Sequence, residues 1–275
     1  MSLSLEAERA RRELSRLGDR HARPRAARWS PVSEAQDRAI ARDHELRDAA
    51  AAARRSLARE VVMRLGGLVA PEEATRFAGA LLAVPRERFV LPEDIGSSAD
   101  DAPSPLDAEG LATVSAPHAY VLTYCLLGLD LGDHLVELGT GTGYGAALAS
   151  HLVGPRGQVT SIEIDPALHT RARRLLAALD ARGDAPIDLH EGDARELAPP
   201  IVAEAATRWQ PLRVAVTYAL PDVPEALLAT LPEGGRLVAP VGTGEDDQLL
   251  YRWSREGGVL HRAVRGPVRY VAERA

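Results

Sequence analysis

The chain contains 275 residues, carries a formal net charge of −6 at neutral pH and is 45% hydrophobic, which is enough for one α/β domain with an appendage. The mildly acidic balance gives no support for a nucleic-acid-binding surface, and the single cysteine, Cys125, excludes a disulfide framework. No apolar run is long enough to cross a membrane, and the first residues lack the apolar core of a signal peptide. We therefore expect a cytoplasmic enzyme with no membrane partner.

Residues 1–70 are predicted to form an N-terminal helical extension that is partly disordered at its start. Residues 1–60 contain 14 Arg and 10 acidic residues, so this part carries +4 and the remainder −10. A capping box at 33–36 predicts the start of one helix, and apolar residues at helical spacing continue up to Gly66-Gly67. We interpret the basic balance as a solvated helix face rather than as a site for an anionic partner. The small alanines of this helix predict packing against the main domain or against a second subunit, so an oligomer could form through the N-terminal helices.

Residues 71–275 are predicted to form the main domain. Pro71 starts a helix that ends near Val84-Pro85, and Leu91–Leu111 is predicted to be a long loop because it is rich in Pro, Asp, Ser and Gly. Loops of this length inside a compact domain are usually functional or mobile.

From residue 116 the predicted helices and strands alternate, which is typical of a doubly wound, mostly parallel α/β sheet of the Rossmann-like kind. The last two strands, joined through Glu256-Gly257-Gly258, are predicted to form an antiparallel hairpin. The predicted helices are Pro117–Leu127, Tyr144–Val153, Pro166–Ala181, about Pro200–Thr207 and Val223–Leu231. The seven predicted strands are His134–Leu138, Gln158–Glu163, Ile187–His190, Leu212–Thr217, Arg236–Pro240, Gln248–Arg255 and Val259–Tyr270.

The most informative feature is residues 139–143, called here the glycine loop, which follows an apolar strand ending in Glu137-Leu138 and leads directly into a helix. Alternating glycines bring backbone amides and a helix N-terminus close to a small ligand, and the Glu137 carboxylate suits a cationic group. This arrangement predicts a site for S-adenosylmethionine. A dinucleotide is the rival interpretation, since Gly141-x-Gly143-x-x-Ala146 with Glu163 about twenty residues on fits that fingerprint. An acid directly before the first glycine is unfavourable beside a pyrophosphate.

Acidic residues also end the next two predicted strands. Glu163 offers two acceptor oxygens for the hydroxyls of a ribose, and Asp193 can accept from an adenine amino group beside the backbone of Ala194. Because ligands of such sheets bind beyond the carboxyl ends of the strands, these acids support one another. The residues predicted to bind the cofactor are Glu137, Gly139, Thr140, Gly141, Gly143, Tyr144, Glu163, Ile164, Asp193, Ala194 and Thr217.

Several further motifs appear together in a fixed order: Val84–Val90, Thr113–His118, the glycine loop, Pro232–Val238 and Pro240–Gly242. Over about residues 75–275 the chain resembles the protein-L-isoaspartate O-methyltransferase family of class I S-adenosylmethionine-dependent methyltransferases. The resemblance implies methylation of the free carboxyl group of isoaspartyl or D-aspartyl residues in damaged proteins. The ester then collapses to a succinimide, which reopens partly to normal aspartate.

The resemblance also implies that Ser115 is the active-site serine, with Thr113 as a second hydroxyl donor. A carboxylate with a pKa of about 4 is already ionised at neutral pH, so the reaction needs orientation and desolvation of the acceptor rather than a general base. Ser115 could alternatively cap the following helix, and His118 could be an ordinary polar residue at a helix start. The residues predicted to contact the substrate are Val114, Pro117, His118 and Tyr218. No paired-His or Cys/His spacing indicates a metal site.

The segment expected to lie at the acceptor departs from the family pattern. Residues 105–112 read Pro-Leu-Asp-Ala-Glu-Gly-Leu-Ala, where the family usually carries Pro-Ile-Gly and a Gln, and Tyr218 and Leu220 are bulkier than usual. A dedicated aspartate carboxyl methyltransferase for a ribosomally made peptide is therefore an alternative, and a non-enzymatic cofactor-binding partner protein is another. The segment 216–221 lacks the Asn/Asp-Pro-Pro-aromatic motif of base methyltransferases, so nucleic-acid bases are not expected substrates.

Overall fold

The computed structural model describes residues 44–273 except 109, 180–182, 210 and 244–246, and describes side chains from residue 51 onward. The chain divides into two compact units, of which the first ends at Leu122 and the second begins at Thr123. The capping box predicted at 33–36 and the disorder predicted for residues 1–30 lie outside the described residues. No helix in the described ranges is both long and apolar enough to cross a membrane.

From residue 44 onward, the first unit contains the helices α1 (His44–Arg64) and α2 (Pro71–Ala83). Along α1 the residues Ala53, Leu57 and Val61 are spaced four apart and are fully buried, as the helical periodicity predicts. Gly67 has a φ of +86° and follows the end of α1, which confirms the predicted stop. Helix α2 begins with Pro71 in its first turn and ends at Ala83, as expected.

The predicted loop Leu91–Leu111 has more regular structure than expected. A 3₁₀ helix occupies Pro92–Ser97, and the two-residue strand β1 (Ser104–Pro105) pairs antiparallel with β2 (Thr113–Val114). Another 3₁₀ helix, Arg86–Arg88, precedes this region, and α3 (Pro117–Leu127) follows it. The composition of the segment is typical of a loop, but its path is held by side-chain contacts that the local sequence does not show.

The second unit contains a seven-stranded sheet with the order β5-β4-β3-β6-β7-β8-β9. The first five strands in that order are parallel, and β8 and β9 are antiparallel to their neighbours, so the predicted fold class is confirmed. The strands are β3 (His134–Leu138), β4 (Gln158–Glu163), β5 (Ile187–Glu191), β6 (Leu212–Val216), β7 (Arg236–Val241), β8 (Leu249–Glu256) and β9 (Val259–Pro267). The helices between them are α4 (Tyr144–Val153), α5 (Pro166–Ala177), α6 (Ala194–Ala206) and α7 (Glu225–Thr230).

The middle of the sheet is its most buried part. Every residue of β3 and β6 is buried, as expected for parallel strands covered on both faces. The connections run from β3 toward β5 in one direction and then return to β6 on the other side of β3. The carboxyl ends of β3 and β6 therefore lie at the switch in strand order, where open α/β sheets bind ligands.

Helix α6 begins earlier than predicted. The sequence analysis placed it at about Pro200–Thr207. In the structure it spans Ala194–Ala206, with Pro199 and Pro200 inside it and the Asp193 side chain capping its start. The aspartate cap, and not the proline pair, marks the beginning of this helix.

Candidate active site

The glycine loop has a backbone conformation that side chains would strain. Gly139, Gly141 and Gly143 have φ values of +97°, +56° and +92°, all in the left-handed region that glycine adopts readily. The amides of Gly139 and Thr140 both donate to the carbonyl of Ile162 in β4, at 2.9 and 3.1 Å. The neighbouring strand therefore holds the loop in place through its backbone.

The strand on the other side of β3 also supports the loop. Thr217, directly after β6, places its Oγ1 2.9 Å from the Leu138 carbonyl and 2.7 Å from the Gly139 carbonyl, so one hydroxyl proton is shared between them. A Cβ added to Gly139 would collide with Thr217 Oγ1 and lie 2.9 Å from the Tyr218 ring. The structure thus gives Thr217 a role in fixing the loop, and its predicted contact with the cofactor stays a prediction.

Glu137 is a buried carboxylate at the start of the loop. It is 1% exposed, and Ser161 Oγ donates to its Oε2 at 2.7 Å while Thr140 Oγ1 lies 2.6 Å from Ser161 Oγ. Burial, together with the nearby charge of Glu163, raises the pKa of Glu137 to about 8, against the lowering effect of the Ser161 hydrogen bond. A carboxyl group in this setting ionises more readily when a cationic group lies beside it.

Glu163, at the end of β4, holds two loop backbones together. Its Oε2 accepts from the Gly141 amide at 2.7 Å and its Oε1 from the Asp165 amide at 3.0 Å. A carboxylate is also a suitable acceptor for two vicinal hydroxyls, and the ribose contact expected from the sequence stays a prediction. Ile164, which follows it, is half-buried.

Asp193, after β5, is engaged in a way that the sequence did not indicate. It caps α6 by accepting from the Arg195 amide at 2.8 Å, and its Oδ2 pairs with Arg195 Nη2 at 2.9 Å. The hydrogen bonds from Arg195 hold the pKa of Asp193 below its ordinary value. Arg195 Nε also lies 3.8 Å from Glu273 Oε1 near the end of the chain. Any adenine contact of Asp193 would have to share this carboxylate with Arg195. Ala194, the next residue in the predicted cofactor site, is buried.

Two residues at the start of α4 complete the loop region. Tyr144 is one of the largest fully buried side chains among the described residues, so its predicted cofactor contact would involve the backbone more readily than the ring. Thr142, which the sequence reasoning passed over, is 2% exposed, and its Oγ1 has no hydrogen-bond partner among the described atoms. A buried hydroxyl without a partner is costly, so Thr142 fits a polar ligand group that would complete its hydrogen bonding.

In the first unit, Thr113–His118, called here the acceptor segment, contains the predicted catalytic residues. Thr113 and Ser115 are half-buried and thus partly accessible, whereas Val114 and Pro117 are buried. The buried side chain of Val114 leaves little for a substrate to contact. The Ser115 amide donates to the Tyr120 hydroxyl at 3.3 Å, which connects the segment to α3.

Arg86 is the main support of the acceptor segment, and the sequence analysis gave it no role. Its side chain is 1% exposed, and Nη2 lies 3.3 Å from the carbonyl oxygens of both Val114 and Ser115. The same guanidinium donates to the carbonyls of Ser98 and Ala102 at 3.0 and 2.8 Å. One buried arginine therefore ties the acceptor segment to the preceding loop. The available signal was the position of Arg86 within the motif Val84–Val90.

The alternative role considered for Ser115, a helix cap, is not what the structure contains. Helix α3 begins at Pro117, two residues after Ser115, and the amide of His118 donates instead to Asp101 Oδ1 at 2.9 Å. His118 Nδ1 lies 2.9 Å from the same oxygen. Asp101 therefore caps α3 and fixes the His118 ring, so His118 has a structural partner beside any substrate contact.

Tyr218 follows Thr217 in the second unit and is half-buried. Burial, and then the carboxylates of Glu273 and Asp193, raise the pKa of its phenol, so the hydroxyl remains a neutral donor and acceptor. Among the residues that the structure describes, no group of three or more His, Cys, Asp or Glu side chains could hold a metal ion.

The sheet order and the glycine loop at the end of its first strand define a Rossmann-like class I methyltransferase fold. A solved structure named protein-L-isoaspartate O-methyltransferase is similar with a TM-score of 0.65 and 25% identity, covering 81% of this chain and 66% of that chain. A putative protein-L-isoaspartate O-methyltransferase from Plasmodium falciparum, solved with S-adenosyl-L-homocysteine, has a TM-score of 0.61, 17% identity and coverage of 78% of this chain and 96% of that one. The second likeness concerns the fold alone.

The family model described as protein-L-isoaspartate(D-aspartate) O-methyltransferase matches residues 67–274. A protein-L-isoaspartate O-methyltransferase of Anaeromyxobacter dehalogenans is 39% identical over 204 residues, which is 71% of this chain and 88% of the relative. One from Ignicoccus hospitalis is 39% identical over 197 residues, 70% of this chain and 86% of the relative. The chain belongs to the protein-L-isoaspartate(D-aspartate) O-methyltransferase family, and the resemblance inferred from the sequence motifs is confirmed.

Proposed function

We propose that this chain transfers the methyl group of S-adenosylmethionine to the side-chain-derived free carboxylate of L-isoaspartyl residues in proteins. The observation that carries the proposal is the family match over residues 67–274, because this range includes both the glycine loop and the acceptor segment. Neither region alone would distinguish this activity from other methyl transfers.

The second unit offers suitable groups for each part of the cofactor. The buried Glu137 carboxylate suits the ammonium or sulfonium group, and the Glu163 carboxylate, an acceptor at the end of β4, suits the ribose hydroxyls. The unpartnered Oγ1 of Thr142 supplies a further polar contact. When bound, S-adenosylmethionine supplies an electrophilic methyl group, and these residues hold and orient it.

The first unit offers hydroxyl groups for the acceptor. An isoaspartyl carboxylate has a pKa of about 4, so it is ionised at neutral pH and no residue has to remove a proton. The proposed roles of Ser115 and Thr113 are to donate hydrogen bonds to the carboxylate oxygen that is not methylated and to fix the direction of the other one. Both residues retain partial exposure, which this role requires.

A second candidate function is the methylation of aspartate in one dedicated, ribosomally made peptide. It is favoured by a specific observation: α1 lies outside the matched residues 67–274, yet packs with buried Ala53, Leu57 and Val61 in the unit that contains the acceptor segment. An added helix there could restrict which peptides reach the acceptor residues.

Some finer assignments belong to the same proposal. We treat residues 1–70 as an extension of a methyltransferase domain at 71–275, which the start of the family match at residue 67 supports. A cytoplasmic location, an oligomer formed through the N-terminal helices and the absence of a nucleic-acid partner remain predictions. A cofactor-binding protein without transfer activity is disfavoured by the presence of Ser115 and Thr113.

The test is a methyl-transfer assay with labelled S-adenosylmethionine on two peptides that differ only in isoaspartate or aspartate at one position, scoring base-labile methyl ester. The proposal predicts ester on the isoaspartyl peptide alone. Ester on the aspartyl peptide would favour the dedicated peptide enzyme. Cofactor binding with ester on neither peptide would contradict general repair. Gly139→Ala serves as the inactive control, because its Cβ would collide with Thr217.

A further inference from the structure

Helix α1 makes two ion pairs with the part of the first unit that surrounds the acceptor segment. Arg54 Nη1 pairs with Glu87 Oε1, and both side chains are mostly buried, at 16% and 11% exposure. Arg64 Nη1 lies 3.1 Å from Asp101 Oδ2, with Arg64 54% exposed and Asp101 only 1% exposed. The helix therefore does more than cover apolar surface, since each of these arginines pairs with an acid outside the helix.

The pair with Asp101 leads directly to the helix that follows the acceptor segment. While Arg64 contacts Oδ2, the other oxygen, Oδ1, accepts from the amide of His118 and lies 2.9 Å from His118 Nδ1. Burial alone would raise the pKa of Asp101, but the hydrogen bonds from His118 and the charge of Arg64 lower it overall. The carboxylate thus joins the last turn of α1 to the first turn of α3, three residues after Ser115.

The pair with Glu87 leads to the same segment from another direction. Glu87 follows Arg86 in the 3₁₀ helix Arg86–Arg88, and Arg86 contacts the carbonyls of Val114 and Ser115. Arg54 therefore fixes the short helix that carries the main support of the acceptor segment. The two ion pairs of α1 are thus connected to the two ends of Val114–His118, one through the neighbouring Arg86 and the other through Asp101 itself.

We propose that α1, which lies outside the family match, is a positioning element of the acceptor segment and acts through Arg64 on Asp101 and through Arg54 on Glu87. The proposal rests on the function proposed above and adds to it a role for the N-terminal extension. Arg64 is more than half exposed, so solvent screens its side of the pair, and Asp101 keeps its contacts with His118 when Arg64 is removed. The effect of Arg64 therefore falls on the placement of Ser115 and His118 more than on global stability.

The test compares Arg64→Ala and Arg64→Lys with Arg59→Ala, an exposed arginine on the same helix. For Arg64→Ala we expect kcat/KM for the isoaspartyl peptide to fall about three- to tenfold, well below the 100-fold that a 1 Å misplacement can cost. The dissociation constant of S-adenosylmethionine and the melting temperature should stay at the wild-type values. Arg64→Lys should restore most of the activity, and Arg59→Ala should behave as wild type.

Two further measurements separate this inference from the proposed function. Hydrogen exchange of the full chain should show faster exchange of the His118 amide in Arg64→Ala, with β4 unchanged, whether or not the chain methylates any peptide. In a double-mutant cycle, Asp101→Asn should remove most of the effect of Arg64→Ala, because the arginine acts through that carboxylate. Exchange and kcat/KM of Arg64→Ala equal to those of Arg59→Ala would overturn the inference. A parallel loss of cofactor affinity and melting temperature would also overturn it.

Discussion

The glycine loop and the acceptor segment are held in place by different kinds of contact. The loop takes its support mainly from neighbouring strands, through the Ile162 carbonyl and the hydroxyl of Thr217. The acceptor segment depends on two buried charged side chains, Arg86 and Asp101. A sheet can position a cofactor loop with regular backbone geometry, whereas a short irregular segment needs individual side chains. The difference explains how the sequence can keep a standard cofactor motif while its acceptor region departs from the family.

The largest effect on ligand affinity is expected on the glycine-loop side. Gly139→Ala places a Cβ against Thr217 and Tyr218 at a φ of +97°, so we expect cofactor affinity to fall by at least about 100-fold, or about 2.8 kcal/mol. Titration calorimetry with S-adenosylmethionine measures this loss. Gly132→Ala is the matched control, since Gly132 has a φ of +86° but open space around its Cβ. An equal loss of cofactor affinity in both variants would mean that backbone strain at a positive φ causes the effect, and would contradict a role for the collision with Thr217.

The corresponding change on the acceptor side is Arg86→Ala. It leaves several buried carbonyl groups without a donor, and each such group costs about 1–3 kcal/mol, so we expect the free energy of unfolding to fall by about 3 kcal/mol or more. Arg86→Lys retains the charge but not the planar fork of donors, so its free energy of unfolding should lie between those of the wild type and Arg86→Ala. Denaturant unfolding monitored by circular dichroism gives the comparison. An unchanged midpoint for Arg86→Ala would mean that these contacts do not hold the segment.

The buried Glu137 predicts a pH dependence on the cofactor side. Its pKa is raised from its ordinary value of 4.5 to about 8, so its contribution to stability is complete below pH 4.5 and is lost as the pH rises through about 8. A cationic ligand favours the ionised form of Glu137. The affinity for S-adenosylmethionine should therefore increase as the pH rises toward 8, by up to about tenfold per pH unit. Glu137→Gln should abolish this slope. Affinity that is flat with pH in the wild type would contradict a carboxylate contact to the cation.

The smallest expected effect concerns the hydroxyl groups of the acceptor segment. Ser115→Ala removes one neutral hydrogen bond, which contributes about 0.5–1.5 kcal/mol, so kcat/KM for the isoaspartyl peptide should fall about three- to tenfold. Cofactor affinity should not change, because Ser115 is assigned to the acceptor. Thr113→Val provides an isosteric comparison for the second hydroxyl. Steady-state kinetics with both peptides measure the losses, and a change confined to the KM of S-adenosylmethionine would contradict the assignment.

Much of the cofactor region could be predicted from the sequence because its determinants are local. The strands, the glycine loop and the strand-end acids Glu137 and Glu163 lie where the alternating pattern placed them. The hydrogen bonds of these residues were not predictable. Asp193 is shared with Arg195, and the buried hydroxyl of Thr142 was passed over, because side-chain partners depend on how loops turn after each strand.

The sequence by itself determined the fold class, the cofactor motif and the family, because hydrophobic periodicity, glycine spacing and short motifs are all properties of contiguous residues. Only the tertiary structure decided what supports the acceptor segment. Arg86 and Asp101 reach Ser115 and His118 across 29 and 17 residues of chain, and Arg64 reaches Asp101 across 37. A buried charge finds its partner through space, so no local pattern in the sequence identifies the pair.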